Sequence, residues 1–356
     1  MMRIIKAVLA FLTIAALACG LAACGLGRDA VPIVEKPAQD AAAASAGEPL
    51  LIGEAAATPA PIYEEETLDE EVFNILLVGT DSRAVGAEAE GLSDSMMLVS
   101  YSQRTGVVTL VSFLRDACVK RIGERSYFDG KLNAAFKNGG VGELVNTLNY
   151  NFGLDIQNYV CVGYEGFAAL VDEIGGLDIS LTAQEAYYIN WRYADLGQAD
   201  DKGRRFDELE RLGRPALEED YEGLMEQHLD GGQALWYARD RSSPTAEGQK
   251  GSDFTRISRQ QVVIQRVFEK IRGAFSIDTA VALISFAQNY VDTNLGLGDM
   301  SPLVRKLMRD GASFETARVP FDGSYHYGDA ANGESASMIY FNIERTAEEL
   351  RTLLYG

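Results

Sequence analysis

Three closely spaced apolar runs constrain this chain more than anything else in it. Residues 73–78 read FNILLV, residues 96–101 read MMLVSY and residues 107–113 read VVTLVSF. Each has strand length and strand composition, and each is too short for a buried helix. Between the second and third lies SQRTG, a hairpin turn by composition, which makes those two strands antiparallel. Each run meets charge at one end: Asp81 and Arg83 after the first, Asp94 before the second, Arg115 and Asp116 after the third. Strands that stop at charges of both signs give a sheet edge with a polar site. Carboxylates there suit a hard cation, and guanidiniums suit the oxyanions that such a cation bridges.

The text that follows alternates strands with helices. A short strand is expected at 118–122, a helix opening at 130–136, and helical spacing over 141–152 (Val141, Leu144, Val145, Leu148). Next come a strand at 159–162, a helix at 164–174 closed by Gly175-Gly176, and a strand at 177–181. This alternation defines an α/β layered domain. Residues 182–227 are dense in Glu, Asp, Arg and Tyr with weak periodicity, and read as an inserted, partly helical excursion over the surface. Gly231-Gly232 then precede a short helix ending near Tyr237, followed by Arg239 and Arg241. Ser252 or Asp253 caps a long helix to about Ile271. On it Arg256 and Gln260 share a face, and Val263, Val267 and Ile271 form a stripe able to pack on the sheet. Helices at 277–290, 301–309 and 342–354 and a strand at 314–320 complete the pattern. Nothing marks a second domain, so residues 72–356 are taken as one, with core 73–272 and completing elements 273–356.

The beginning of the chain has a different character. Arg3 and Lys6 precede a short apolar stretch, 7–17, and then Leu-Ala-Ala-Cys ending at Cys24. Small residues before a Cys after such a stretch resemble the lipobox of bacterial lipoproteins, which implies cleavage before Cys24 and lipidation of its sulfur; an ordinary signal peptide or an uncleaved anchor fits the same residues. Residues 25–71 are rich in Ala, Pro and Glu and carry a net −9, the composition of a disordered, self-repelling tether. A flexible coil of that length reaches roughly 40 Å. The domain would thus sit at the extracytoplasmic face of the membrane, lipid-anchored.

Charge narrows the partners. The 356 residues carry a formal −20, and the part from residue 72 onward keeps −13. That excludes nucleic acid, whose phosphates need clustered Lys and Arg. The two histidines, His228 and His326, lie far apart, which argues against a Ser-His-Asp triad or a His-rich zinc site. Yet motif-like stretches of this acidic domain present Arg83, Arg115, Lys131, Arg239, Arg241, Arg256 and Arg259. Guanidiniums gather where anions sit between them, and bidentate Arg–phosphate bonds are the usual reason. With Asp81 and Asp94 as hard oxygen ligands for Mg²⁺, these groups describe a pyrophosphate–metal site suited to phosphoryl transfer. Each residue taken singly also has a structural reading, as a turn, a strand cap or a surface pair. Cys118 and Cys161 both fall on strands, and either a disulfide or two buried thiols is compatible with an extracytoplasmic domain.

The strings GTDSR, SDSMMLVS, RDACV, KLNAAF, GFAALVDEIGGLDI, LDGGQALWYARDR and DFTRISRQQ occur in that order, and VDTNLGLGDM follows at 291–300. Together they resemble the LytR-CpsA-Psr family of cell-wall glycopolymer ligases. The resemblance implies a three-layer α-β-α sandwich with a mixed central sheet. It implies transfer of a glycopolymer, such as teichoic acid or capsule, with one phosphate from a polyprenyl pyrophosphate carrier to peptidoglycan, assisted by Mg²⁺. Carried over, Asp81 and Asp94 resemble the metal carboxylates, with Asp94 the catalytic candidate. Arg83, Arg115, Arg239 and Arg241 resemble the pyrophosphate arginines, of which Arg115, Arg239 and Arg241 also count as catalytic. Lys131, Arg256 and Gln260 resemble further members of the pocket. Arg259 lies off the Arg256–Gln260 face and is left out. Two positions depart from the family pattern: Leu92 stands where an Arg is usual, and Leu114 where a Pro is usual. Two alternatives use the same residues. One is a lipoprotein that binds such lipid-linked or wall polymers with weak or no turnover, which Leu92 favours. The other is pyrophosphate hydrolysis with water as acceptor.

Overall fold

The structure is a computed structural model, and it describes residues 71–80, 92–122, 127–194, 215–274, 290–294 and 313–356. In chain order the strands are β1 (Val72–Thr80), β2 (Ser93–Ser102), β3 (Val107–Phe113), β4 (Cys118–Ile122), β5 (Tyr127–Lys131), β6 (Asn158–Gly163), β7 (Leu177–Thr182), β8 (Leu224–Leu229), β9 (Val291–Thr293), β10 (Ser313–Val319), β11 (Tyr325–Tyr327) and β12 (Ile339–Phe341). The helices are α1 (Asn133–Phe152), α2 (Tyr164–Glu173), α3 (Ala183–Ala194), α4 (Gly231–Arg239), α5 (Asp253–Ala274) and α6 (Ile343–Tyr355). The chain is α/β, with a mixed, six-stranded central sheet. Its described residues divide into two compact units, one built from 71–161 together with 315–356, the other from 162–314.

The first unit holds five strands of the central sheet, in the order β10-β3-β2-β1-β6. Strand β2 lies in the middle and buries Met96 through Tyr101 without a break, as a strand covered on both faces does. It pairs antiparallel with β1 and with β3, the latter through the expected turn, closed by Gly106 N–H donating to the Ser102 carbonyl. Helix α1 joins two expected segments, with a break at Gly139-Gly140, where Gly140 has φ 63. Its buried Asn151 and Thr147 bond the backbone of β4: Lys120 N–H donates to Asn151 Oδ1 at 3.0 Å, and Ile122 N–H to Thr147 Oγ1 at 3.0 Å. That satisfies backbone groups of β4 that its single partner strand leaves over. Arg121 and Glu143 form a nearly buried ion pair, Nη2 to Oε1 3.2 Å. Helix α6, capped by Asn342, closes this unit: Asn74 Nδ2 donates to the Tyr355 hydroxyl at 2.9 Å.

One expectation is corrected here, and one open alternative is decided. Gly130 and Lys131 do not open a helix but end strand β5, which pairs with β4, and the helix begins at Asn133. Strand β5 and the short β11–β12 pair were not anticipated. Cys118 and Cys161 are both free thiols.

The second unit packs α2, α3, α4 and α5 with the antiparallel β7–β8 pair around one apolar cluster that includes Val171, Leu177, Ile179, Ile189, Leu217 and Leu229. The stripe of Val263, Val267 and Ile271 is buried in that cluster, alongside the inward residues of β7. Helix α4 starts at Gly231 under a capping box made by Asp230 and Gln233, so the glycine pair forms its first turn and Arg239 its last residue. A Cβ on Gly231 would collide with the Ala168 carbonyl of α2, and the Gly231 N–H donates to Asp172 Oδ1 at 2.7 Å. Residues expected as a surface excursion include α3 and β8, and Glu185, Ala186, Ile189, Asn190 and Leu217 are buried. Residues 195–214 and the expected helices at 277–290 and 301–309 lie outside the described residues, apart from Tyr290.

Candidate functional site

Strand β2 carries Asp94 at a β-bulge. Gly79 pairs with Ser95 and Thr80 with Ser93, so Asp94 is the extra residue between two pairs. A bulge re-aims the side chain it carries and bends the strand end. Here it delivers a largely buried carboxylate, 23% exposed, beside the turn that follows β3. Arg115 Nη1 donates to Asp94 Oδ1 at 3.0 Å. Arg115 Nε lies 3.7 Å from Asp116 Oδ2, and Lys131 Nζ donates to Asp116 Oδ1 at 2.7 Å. The result is an alternating rim, Asp94–Arg115–Asp116–Lys131, whose side chains are 20 to 29% exposed.

The backbone under this rim is pinned from several sides. Leu114 N–H donates to the Val319 carbonyl at 2.9 Å, Asn133 N–H to the Arg115 carbonyl at 3.1 Å and Ile339 N–H to the Asp116 carbonyl at 2.9 Å. The Leu114 bond explains one departure from the family pattern, because a proline has no N–H to donate to β10. Leu92 immediately precedes β2, two residues from Asp94.

The second unit holds Arg239, Arg241, Arg256 and Gln260. The Arg239 guanidinium carbon lies 4.1 Å from the Tyr164 ring centroid and 4.9 Å from that of Trp236. Arg241 Nε is 3.5 Å from Asp253 Oδ1, and Arg256 Nη2 donates to Asp253 Oδ2 at 3.3 Å, so one carboxylate steadies two arginines. Arg241 is 45% exposed whereas Arg256 is 4% exposed. Gln260 Nε2 reaches the Ala238 carbonyl at 3.4 Å, at the end of α4.

Sequence reasoning missed what holds the Arg239–Arg241 turn. Asp240, fully buried, accepts from Ser242 N–H at 2.8 Å and Ser243 N–H at 3.1 Å. Arg259 is buried behind it, donating to Glu185 Oε1 at 2.8 Å, the Asp240 carbonyl at 3.0 Å and the Ser243 carbonyl at 2.8 Å. Arg259 is therefore a framework residue, in keeping with its place off the Arg256–Gln260 face. Asp240 leaves helix α4 on extended backbone directly after Arg239, and nothing in the sequence pattern singled it out. Tyr237 and Tyr188 line this region, and burial pushes both phenols above their ordinary range.

Asp81, Arg83 and Cys24 lie outside the described residues. Among the described residues no group of three or more His, Cys, Asp or Glu is placed to hold a metal ion, and no helix is long and apolar enough to cross a membrane. Asp94 offers one carboxylate to a hard cation, which suits Mg²⁺ because that ion takes few protein ligands and fills its sphere with water and phosphate oxygens.

The first unit thus carries a bulged carboxylate at the end of an inner strand of the central sheet, and the second holds arginines against aromatic rings and a shared carboxylate, all in an α/β chain. The LytR_cpsA_psr family model matches residues 52–351, and the chain belongs to that family. It is similar to the polyisoprenyl-teichoic acid–peptidoglycan teichoic acid transferase TagV of Bacillus subtilis (strain 168), 28% identical over 223 residues, covering 63% of this chain and 50% of that protein. It is also similar to Biofilm regulatory protein A of Streptococcus mutans serotype c, 28% identical over 257 residues, covering 70% of this chain and 56% of that protein. The chain thus spans about half the length of these two curated relatives. Among solved structures it shares its fold with the LytR-CPS2A-psr family protein YwtF (TagT) with bound octaprenyl pyrophosphate lipid, at TM-score 0.52 and 20% identity, covering 83% of this chain and 95% of that one.

Proposed function

We propose that the chain is a phosphotransferase that moves a glycopolymer, with one phosphate, from a polyprenyl pyrophosphate carrier to a peptidoglycan hydroxyl. The observation that carries this reading is Asp94, set out on a bulge and oriented by Arg115 at 3.0 Å. Family membership supports it, as do the transferase name of the Bacillus relative and the pyrophosphate lipid bound by the structural neighbour. In the reaction the acceptor oxygen bonds to the phosphorus next to the glycan. The bond from that phosphorus to the bridging oxygen breaks, and polyprenyl monophosphate leaves. Asp94 is the group proposed to take the hydroxyl proton. Arg115 and Lys131, beside Asp94, are proposed to neutralise phosphate oxygens as charge develops; Arg239 and Arg241 of the second unit are proposed as phosphate-binding residues from the family resemblance alone. Asp81 and Asp94 would hold Mg²⁺, which would screen the pyrophosphate charge. Cys24 is the proposed lipid anchor, which would place the domain at the extracytoplasmic face.

The second reading, a polymer-binding lipoprotein, is favoured by Leu92, which supplies no charge where the family pattern has one. The full-length chain in detergent, given a short-chain polyprenyl pyrophosphate carrying a glycan, separates the two. The transferase reading expects Mg²⁺-dependent release of polyprenyl monophosphate, lowered at least 100-fold by Asp94→Ala, about the loss of one key electrostatic group. Lipid binding without release would overturn it in favour of the binding protein. Release that is unaffected by peptidoglycan acceptor and consumes only water would identify the hydrolase.

A further inference from the structure

Helix α4 carries Gly232, Trp236 and Arg239 along one face, at spacings of four and three. The last turn of α3 covers the first two. The Tyr193 ring lies so close to Gly232 that a Cβ there would meet its Cε2 at 2.5 Å. The Tyr193 hydroxyl donates to Asp230 Oδ2 at 2.5 Å, at the cap of α4. Arg192 takes the next position along that face. Its guanidinium carbon lies 4.5 Å from the Trp236 ring centroid and 5.2 Å from that of Trp191. Trp236 is also the ring beside Arg239, at 4.9 Å, so two guanidiniums share one indole. The Tyr164 ring, 4.1 Å from the Arg239 guanidinium carbon, supports Arg239 from α2.

Arg192 is not placed to meet a ligand. Its Nε is shut off from solvent, and its guanidinium donates to the Tyr188 hydroxyl, four residues earlier on the same helix. What its charge does is local. A guanidinium over an indole is attracted by the ring face and fixes the plane of that ring. Arg192 stands in the last turn of α3, so the same charge meets the negative end of the helix dipole and is favoured there. Across the shared indole it repels Arg239, which disfavours any swing of Arg239 toward α3. A leucine or methionine could pack on the indole but would supply none of these effects.

We propose that Arg192 is a positioning residue that acts through Trp236 to set the place of the Arg239 guanidinium. Its effect on turnover rests on the proposed function, in which Arg239 binds phosphate. The placing of Arg239 does not depend on that reading. Residues 182–227 gain a role from this: α3, near the start of that stretch, braces the α4 face that ends at Arg239.

Two measurements on the full-length chain in detergent test it. The first needs no substrate. The Nε–H resonance of Arg239 in arginine-labelled protein, identified by its loss in Arg239→Lys, senses the ring currents of Tyr164 and Trp236. Arg192→Met should shift it toward the position of a solvent-exposed arginine. Arg192→Lys should restore it in part, since lysine returns the charge but not the flat stack. Tryptophan emission should change in both variants, because the chain's two tryptophans both lie at Arg192. An unmoved Arg239 resonance in Arg192→Met would overturn the proposal, whether or not the chain turns over. The second measurement is a double-mutant cycle on single-turnover release of polyprenyl monophosphate. Arg192→Met should slow release about five- to tenfold in the wild-type background, the scale of a desolvated cation–π contact, and less than about twofold when Arg239 is already Ala. Equal factors in the two backgrounds would show that Arg192 does not act through Arg239, and would overturn the proposal. If the wild type releases nothing, the proposed function fails, and the resonance alone decides the placing of Arg239. Should Met disturb the fold, seen as broadened arginine resonances throughout, Arg192→Lys carries both comparisons, with smaller changes in the same directions.

Discussion

The two units settle their cations by different means. In the first, positive charge meets negative charge: Arg115 with Asp94 and Asp116, Lys131 with Asp116, and Arg121 with Glu143 in the interior. In the second, Arg192 and Arg239 lie on aromatic faces, while Arg241 and Arg256 share Asp253. An ion-paired cation is held in place but already neutralised, so an incoming phosphate must compete with a carboxylate. A cation on a ring is held in place and remains charged. The first arrangement fixes geometry around a reacting group, and the second is better prepared to take up an anion at little cost in displaced partners.

The largest expected effect tests whether pairing in the first unit is structural as well as local. Arg121→Met leaves Glu143 buried without its partner and should destabilise the fold by about 3–5 kcal/mol. The pH dependence has a definite sign. Burial raises the Glu143 carboxyl above its ordinary range, against the pull of Arg121. A raised folded value means that this group favours the fold below the ordinary Glu range, and that this advantage is lost as pH rises through the folded value. Removing Arg121 takes away the opposing pull, so the loss extends to higher pH. Denaturant unfolding across pH should show the variant closest to wild type in acid and furthest at neutral pH. A gap independent of pH would mean that Glu143 is not the group left exposed to the penalty. Arg121→Met combined with Glu143→Leu should recover most of the loss.

Next comes the ring-held cation of the second unit. Arg239→Ala should lower turnover about 10²- to 10³-fold, the range for one donor to developing charge. Arg239→Lys is the sharper test. Lysine restores charge but neither the planar stack on Tyr164 and Trp236 nor the paired N–H fork, so it should recover less than a tenth of the lost activity. Near-complete recovery would break the comparison, because charge alone would then suffice and the aromatic support would have no role in the reaction.

Much of this was legible in the amino-acid order, for identifiable reasons. The apolar runs of β1, β2 and β3 state their own identity, since strands buried on both faces need unbroken hydrophobicity. Asn342 and Ser252 marked helix starts as caps do: Ser252 Oγ accepts from Thr255 N–H at 3.3 Å. Strand β8 was hidden because LMEQHL is exposed along most of its length and lies in an acidic stretch. Strand β5 was hidden because its last residues run directly into a good helix start. The site divides in the same way. Motif order pointed to Asp94 and Arg115, and they meet. The bulge that presents Asp94 could not be read, because register belongs to two strands and not to one.

The smallest predicted effect concerns the carboxylate that ties the first unit's rim together. Asp116 uses one oxygen for Lys131 and the other for Arg115, while its own carbonyl is fixed by Ile339. It is a positioning residue: it orders two cations and is not itself proposed to meet the substrate. Asp116→Asn keeps shape and one acceptor but turns an N–H toward one of the two cations and removes the negative charge. The rim then becomes more positive and less ordered. These changes pull in opposite directions on binding and in one direction on chemistry. Affinity for the pyrophosphate lipid should hold steady or improve slightly, while kcat falls about tenfold, equivalent to ~1.4 kcal/mol of lost transition-state stabilisation. Single-turnover release of polyprenyl monophosphate beside equilibrium lipid binding separates the two quantities. A fall in affinity with kcat intact would place Asp116 among the binding groups. The ion pairs of the first unit would then serve substrate capture.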